Sequence, residues 1–237
     1  MQDSPKLILE HREAHSIPFH NVMDALNAMR YGSMERIGFQ LLFFTGCRVS
    51  ELDNMKPSQI FPKANRNAEI RWKLGKNQKA WRHEEIPMDL VKEIEYYRRN
   101  SRTIAGRLLG VNSTAFRRKF NMAIRPTLGP DWNKKVISEH QEGAIQMEYG
   151  LQLKGLRKNF ATREFWSEYK QWDDAGIAIE FASKRLRHSS KHMTAMHYIE
   201  NFKGLDLEKY GHLSMLQIAA GALSQRRLPE FGIYPPV

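Results

Sequence analysis

Val22, Leu26 and Met29 recur at helical spacing after Ile17-Pro18, which predicts a helix from about Asn21, as its cap, to Arg30. Tyr31-Gly32-Ser33 breaks it. From Met34 to about Thr45 the residues Ile37, Phe39, Leu41, Leu42, Phe43 and Phe44 leave little polar surface, the pattern of a buried central helix that stops at Thr45-Gly46. The period then changes to two. Ile70 and Trp72 alternate with Arg71 and Lys73, and a second run ends at Ile86-Pro87, so 67–74 and 81–88 read as strands joined by the turn-like Gly75-Lys76-Asn77-Gln78-Lys79. Helical spacing returns at about 89–99, 113–123, 155–168, 174–182 and 191–200. Pro126, Gly129 and Pro130 make 125–150 read as a long loop, and 1–16 reads as a polar leader. The expected fold is mainly α with a small antiparallel β-sheet, without internal repeats.

At 237 residues, with 41% hydrophobic and 11% aromatic side chains, the chain can bury one core, and general disorder is excluded. No apolar run is long enough to span a membrane, and no signal-peptide order begins the sequence. Cys47 is the lone cysteine, so an internal disulfide and a cysteine-based zinc site are both excluded, and a reducing compartment is favoured. The net charge of +11 implies a polyanionic partner. It is unevenly spread: residues 1–60 carry −1, 61–140 carry +10 and 141–237 carry +2. The middle block holds Lys73, Lys76, Lys79, Arg82, Arg117, Arg118 and Lys119 with Trp72 and Trp81 interleaved, as expected of side chains that contact nucleic-acid phosphates. A solvated basic face is the plainer alternative.

Four short segments concentrate candidate chemistry. Thr45-Gly46-Cys47-Arg48-Val49-Ser50-Glu51-Leu52 places an arginine at the end of the buried helix with a carboxylate three residues on. Lys154-Gly155-Leu156-Arg157 puts two cations at i and i+3 of a helix. Leu186-Arg187-His188-Ser189-Ser190 is a polar turn, followed by Thr194-Ala195-Met196-His197-Tyr198. Taken singly each has an ordinary structural explanation: a helix-end cap for Arg48, an ion pair with Glu164 for Arg157, a half-buried core position for Tyr198.

In this order, with a lysine-bearing hairpin between the first and second segments, they resemble the signature boxes of the tyrosine recombinases, the phage-type integrase family, over about residues 20–203. The resemblance implies the tyrosine recombinase catalytic-domain fold (α+β) and cleavage and rejoining of DNA through a 3′-phosphotyrosyl intermediate, with no metal, cofactor or ATP. Tyr198 would be the nucleophile, and Arg48 and Arg157 would hold the non-bridging phosphate oxygens. Lys76 would protonate the leaving 5′-oxygen, His188 would hydrogen-bond the phosphate or assist proton transfer, and Glu51 would position its neighbours. A homotetramer on double-stranded DNA, weak or monomeric in free solution, is implied too, as is a cytoplasmic, nucleoid-associated setting in a prokaryotic host or on a virus or plasmid.

Lys154 stands where the family usually has histidine, a variant that resembles archaeal viral integrases, protelomerases and type IB topoisomerases, and it leaves the general base open. Ten residues separate His188 from Tyr198 where nine is commoner. The expected organisation is a leader over 1–16, a catalytic domain over 17–205 and a tail over 206–237, in which 212–224 could form a helix packed on a neighbouring copy. About 20 residues precede the catalytic pattern, too few for the family's separate core-binding domain, as in an excised domain or a short natural form. A type IB topoisomerase, a telomere resolvase and a catalytically silent DNA-binding protein of the same fold are the alternative functions.

Overall fold

The computed structural model describes residues 17, 19–63, 67–73, 81–101, 106–128, 135–139, 145–149 and 152–188. Helix α1 (Phe19–Ala28) and helix α2 (Met34–Thr45) occupy the two expected helical stretches. Asn21 lies inside α1 and not at its start, because the helix already begins one residue after Pro18. Ser33 caps α2, its hydroxyl accepting the Arg36 amide at 3.3 Å. The helix ends on Gly46, whose φ of 56° lets its amide reach back to the Leu42 carbonyl at 3.0 Å. A Cβ there would lie 2.4 Å from the Phe160 ring, so the first signature box needs glycine both for the turn and for the approach of a distant helix.

Ten α2 residues besides Gly38 are buried, among them Ile37, Phe39, Leu41, Leu42 and Phe43, and α2 is the central element. A 3-10 turn (Val49–Asn54) follows, then strands β1 (Ile60–Pro62), β2 (Asn67–Lys73) and β3 (Trp81–Pro87) in an antiparallel sheet of order β1-β2-β3. Ala68, Ile70 and Trp72 face the core from β2, and the same face of β3 carries Arg82, Glu84 and Ile86. Helix α3 (Met88–Asn100) buries Leu90, Val91, Ile94 and Tyr97. Helix α4 (Ser113–Leu128) buries Phe116, Phe120 and Ile124, with Phe120 stacked on Phe39 at 5.5 Å between ring centroids. Each such buried side chain contributes about 1.5–3 kcal/mol relative to exposure.

Strands β4 (Lys135–Glu139) and β5 (Ile145–Tyr149) form an antiparallel hairpin within the stretch expected to be a loop, with Ile137 opposite Met147. The period-two alternation of Ile145, Met147 and Tyr149 with Gln146 and Glu148 explains the strand, and Pro126 falls inside the last turn of α4. Helix α5 (Leu153–Trp172) then packs on α2, and helix α6 (Ala175–Leu186) folds back along α5 over Phe165, Ala178 and Ala182. Asp173, at φ 49°, makes the corner, and the Asp174 carboxylate caps α6 by accepting the Gly176 and Ile177 amides at 2.7 and 3.0 Å. The Asn159 side chain pairs with both backbone groups of Ile17 at 2.7 Å, fastening that residue to α5. Among the described residues no helix is long and apolar enough to cross a membrane. The expected leader, the 191–200 helix, the 206–237 tail with its 212–224 helix, and the hairpin tip lie outside the described residues.

Candidate active site

The turn after α2 delivers Arg48 to the surface with its side chain 56% exposed, and its guanidinium lies 3.7 Å from the Glu51 carboxylate. Glu51 is itself buried. It accepts the Trp72 indole N–H at 3.2 Å and faces the Arg82 guanidinium at 3.8 Å. A carboxylate held between two cations and an indole has little freedom to turn, so the Arg48 guanidinium meets a fixed partner. Cys47, next in sequence, is buried, and burial pushes its thiol up to about 12, which makes it inert as a nucleophile.

Arg157 enters from α5 and is buried. Its two terminal nitrogens donate to the Gly46 carbonyl at 2.5 Å and the Leu186 carbonyl at 2.6 Å, so one guanidinium joins the end of α2 to the end of α6. Lys154, three residues earlier on the same helix, is exposed. Glu164, the alternative partner of Arg157, meets Arg185 at 3.2 Å instead.

His188 lies just beyond α6. Arg187 leaves the helix at φ 54°, and the His188 amide donates to the Ser183 carbonyl at 3.0 Å, closing the last turn. Arg187 also donates through its side chain to the Trp81 carbonyl, which ties this corner to β3. Burial, followed by Arg157, Arg48 and Arg82, holds the His188 imidazole down to about 4, so it is neutral at pH 7. The first box, α5 and the α6 corner, remote in sequence, therefore bring Arg48, Arg157 and His188 into one electropositive locality.

Arg82 departs from the expectation of a surface phosphate contact. It is 3% exposed, with Nε on Glu84 at 3.2 Å, a terminal nitrogen on the Thr45 carbonyl, and its guanidinium over Trp72 at 5.2 Å. The reason is strand parity: positions 82, 84 and 86 share the core face. The other described members of the basic block lie outside. Lys73 is exposed with its ammonium 5.4 Å from the Trp81 ring centroid, and Arg117, Arg118 and Lys119 are exposed along α4. Lys76, Lys79 and Tyr198 lie outside the described residues.

Glu84 and Arg185 have no role in the sequence reading, and Glu164 enters it only as a partner for Arg157, yet the three form an ion-pair set beside the site. Glu84 accepts Arg185 at 2.5 Å, and burial pushes its carboxyl up to about 7 against the pull of Arg82 and Arg185. The parity of Glu84 with Ile86 was the available signal; Arg185, 101 residues away, offered none. Among the described residues no three His, Cys, Asp or Glu side chains gather as metal ligands would.

No protein-family model matches the chain, and no curated protein matches it in sequence. Solved structures do. XerA recombinase superposes with a TM-score of 0.55 at 18% identity, over 82% of this chain and 62% of that one. XerH site-specific recombinase, bound to its difH substrate in a pre-cleavage complex, superposes at 0.51 with 16% identity, over 78% of this chain and 50% of that one. This chain thus spans between one half and about three fifths of the length of these recombinases. The mainly helical architecture with its small antiparallel sheet is the tyrosine recombinase catalytic-domain fold.

Proposed function

We propose that this chain is a site-specific DNA recombinase, cleaving and rejoining strands through a tyrosyl phosphodiester. The observation that carries the reading is the gathering of Arg48, Arg157 and a neutral His188 from three separate segments around one locality of surplus positive charge. Likeness of fold to XerA and XerH, the latter solved on its DNA substrate, supports it. Arg48, open to solvent, would reach the non-bridging oxygens of a phosphate, while Arg157 would act as a fixed cation beneath. Guanidinium forks suit this because charge grows on those oxygens in the transition state. The neutral imidazole of His188 would hydrogen-bond the same group.

In the first step the Tyr198 oxygen forms a bond to phosphorus and the bond to the 5′-oxygen breaks. The tyrosine proton passes to a base, and Lys76 gives its proton to the leaving oxygen. One phosphodiester replaces another, so the reverse attack by a 5′-hydroxyl restores the strand with no ATP. Lys73, Lys79, Arg117, Arg118 and Lys119 would hold the duplex backbone, with affinity that falls steeply as salt rises. Exchange between two duplexes cuts four strands, which calls for four copies on DNA in the nucleoid.

Incubation with nicked duplexes that lose a short fragment on cleavage tests the reading. A covalent protein–DNA adduct is expected from the unaltered chain and not from Tyr198→Phe. An adduct that persists in the variant, or none with a library of nicked sites, overturns it. Relaxation of supercoiled DNA without any specific site would favour the topoisomerase instead.

A further inference from the structure

The inner face of β3 is where the chain breaks its own hydrophobic pattern. Arg82 and Glu84 sit with Ile86 on the core side, paired across the ladder with Trp72 and Ile70. Charged side chains are almost never fully buried unless paired, and here the pairing runs through four elements. Glu84, 2% exposed, accepts Arg82 at 3.2 Å and Arg185 at 2.5 Å. Arg82 continues to Glu51, which meets Arg48, and Arg185 continues to Glu164 on α5. Glu84 is the member shared by the two halves. Without it, the segment around Arg48 and the last turn of α6 lose their common carboxylate.

We propose that Glu84 is a positioning residue, which ties β3 to the last turn of α6 and so holds His188 among Arg48, Arg82 and Arg157. Buried ion pairs rarely outdo well-packed hydrophobic ones in stability, so stability alone does not account for a charged pair here. What the charged link adds is direction, because a guanidinium fork on a carboxylate admits few geometries. Arg185 stands three residues before His188, within the turn that Arg157 grips through the Leu186 carbonyl and Arg187 grips through the Trp81 carbonyl. Two of those attachments lead to β3, and Glu84 carries the buried one.

NMR titration of His188 in the full chain, assigned with His188→Gln, provides the test. Near pH 4 a carboxyl at about 7 is already neutral, so loss of its charge leaves the His188 pKa unmoved, whereas displacement of the imidazole from the three guanidiniums raises it. A rise therefore separates positioning from a through-space charge effect. From about 4 in the unaltered chain, His188 should rise by about one unit or more in Glu84→Ala, which removes the link itself, a shift of about tenfold in its protonation equilibrium. Arg185→Lys keeps the charge but cannot fork to both Glu84 and Glu164, and should shift His188 in the same direction by less. Its partly exposed position keeps the test open should Glu84→Ala fail to fold. An unmoved or lowered His188 pKa in the folded variants overturns the proposal.

A second arm rests on the recombinase reading: adduct formation by Glu84→Ala should slow about tenfold while DNA affinity stays within about twofold. Equal rates overturn the positioning role. A complete lack of adduct from the unaltered chain counts against the recombinase reading alone, and the titration still decides the role of Glu84.

Discussion

Helix α2 has a cluster of buried charge near each end, and the two clusters are built to opposite plans. Near its start, Arg36 meets Glu93 at 3.2 Å and also donates to the Leu26 carbonyl, while Glu93 accepts Gln40 and the Gly32 amide, each at 2.8 Å. One cation faces one anion, both nearly inaccessible, and the set fastens α1, α2 and α3 together. Near its end, Arg48, Arg82 and Arg185 meet Glu51, Glu84 and Glu164, and Arg157 adds a fourth guanidinium held by backbone carbonyls, so guanidiniums outnumber carboxylates and Arg48 opens to solvent. A balanced cluster holds a fold together; a cluster with surplus positive charge and an open side can also take up an anion.

The contrast breaks most readily at Glu93. Glu93→Leu leaves Arg36 buried without its anion and should cost about 3–5 kcal/mol in urea unfolding. A loss below about 1 kcal/mol would mean that the first cluster contributes little as a pair. Arg48→Ala should behave in the opposite way. Its side chain is mostly exposed and Glu51 keeps Arg82 and Trp72 as partners, so stability should change by less than about 1 kcal/mol, while adduct formation should fall by about a hundredfold to a thousandfold. Equal effects of Arg48→Ala on unfolding and on cleavage would erase the distinction between the two ends.

A smaller effect sharpens the comparison through pH. Burial and three guanidiniums depress the His188 pKa to about 4, from an ordinary value of about 6.5. Between those values the unfolded chain takes up a proton that the folded chain refuses, so this contribution to stability is present above the window and is lost as pH falls through it. His188→Gln should flatten that part of the curve of unfolding free energy against pH; an unchanged slope would mean that the imidazole does not feel the arginines. Bound DNA phosphate should move the His188 titration upward, because an anion favours the imidazolium.

Much of the scaffold was readable from periodicity. The α2 stop at Gly46, the β2–β3 pair and the α5 and α6 helices each follow from local spacing, because amphipathic pattern and turn chemistry act within one element. Pro126, Gly129 and Pro130, just before the β4–β5 hairpin, carry a loop signal stronger than the short alternation of its strands. Of the site, Arg48, Arg157 and His188 are legible only through their resemblance to the recombinase boxes, and the fold brings the three segments together. The inward turn of Arg82 follows from its parity with Ile86, a signal that its charge beside Trp81 masks. The Glu84–Arg185 pair depends on tertiary packing across 101 residues, which no local rule encodes.

The 3-10 turn after Arg48 does more than carry Glu51. Two residues later Asp53 turns the other way and accepts both the amide and the hydroxyl of Ser113, at 2.6 and 3.0 Å, at the start of α4. One short turn is thereby pinned at Arg48 and at the root of the helix that displays Arg117, Arg118 and Lys119. It acts as a caliper with a fixed gap. Whatever polyanion lies along α4 meets Arg48 at a set offset, so a change in the length of this turn should shift Arg48 along the bound polyanion without altering the grip itself.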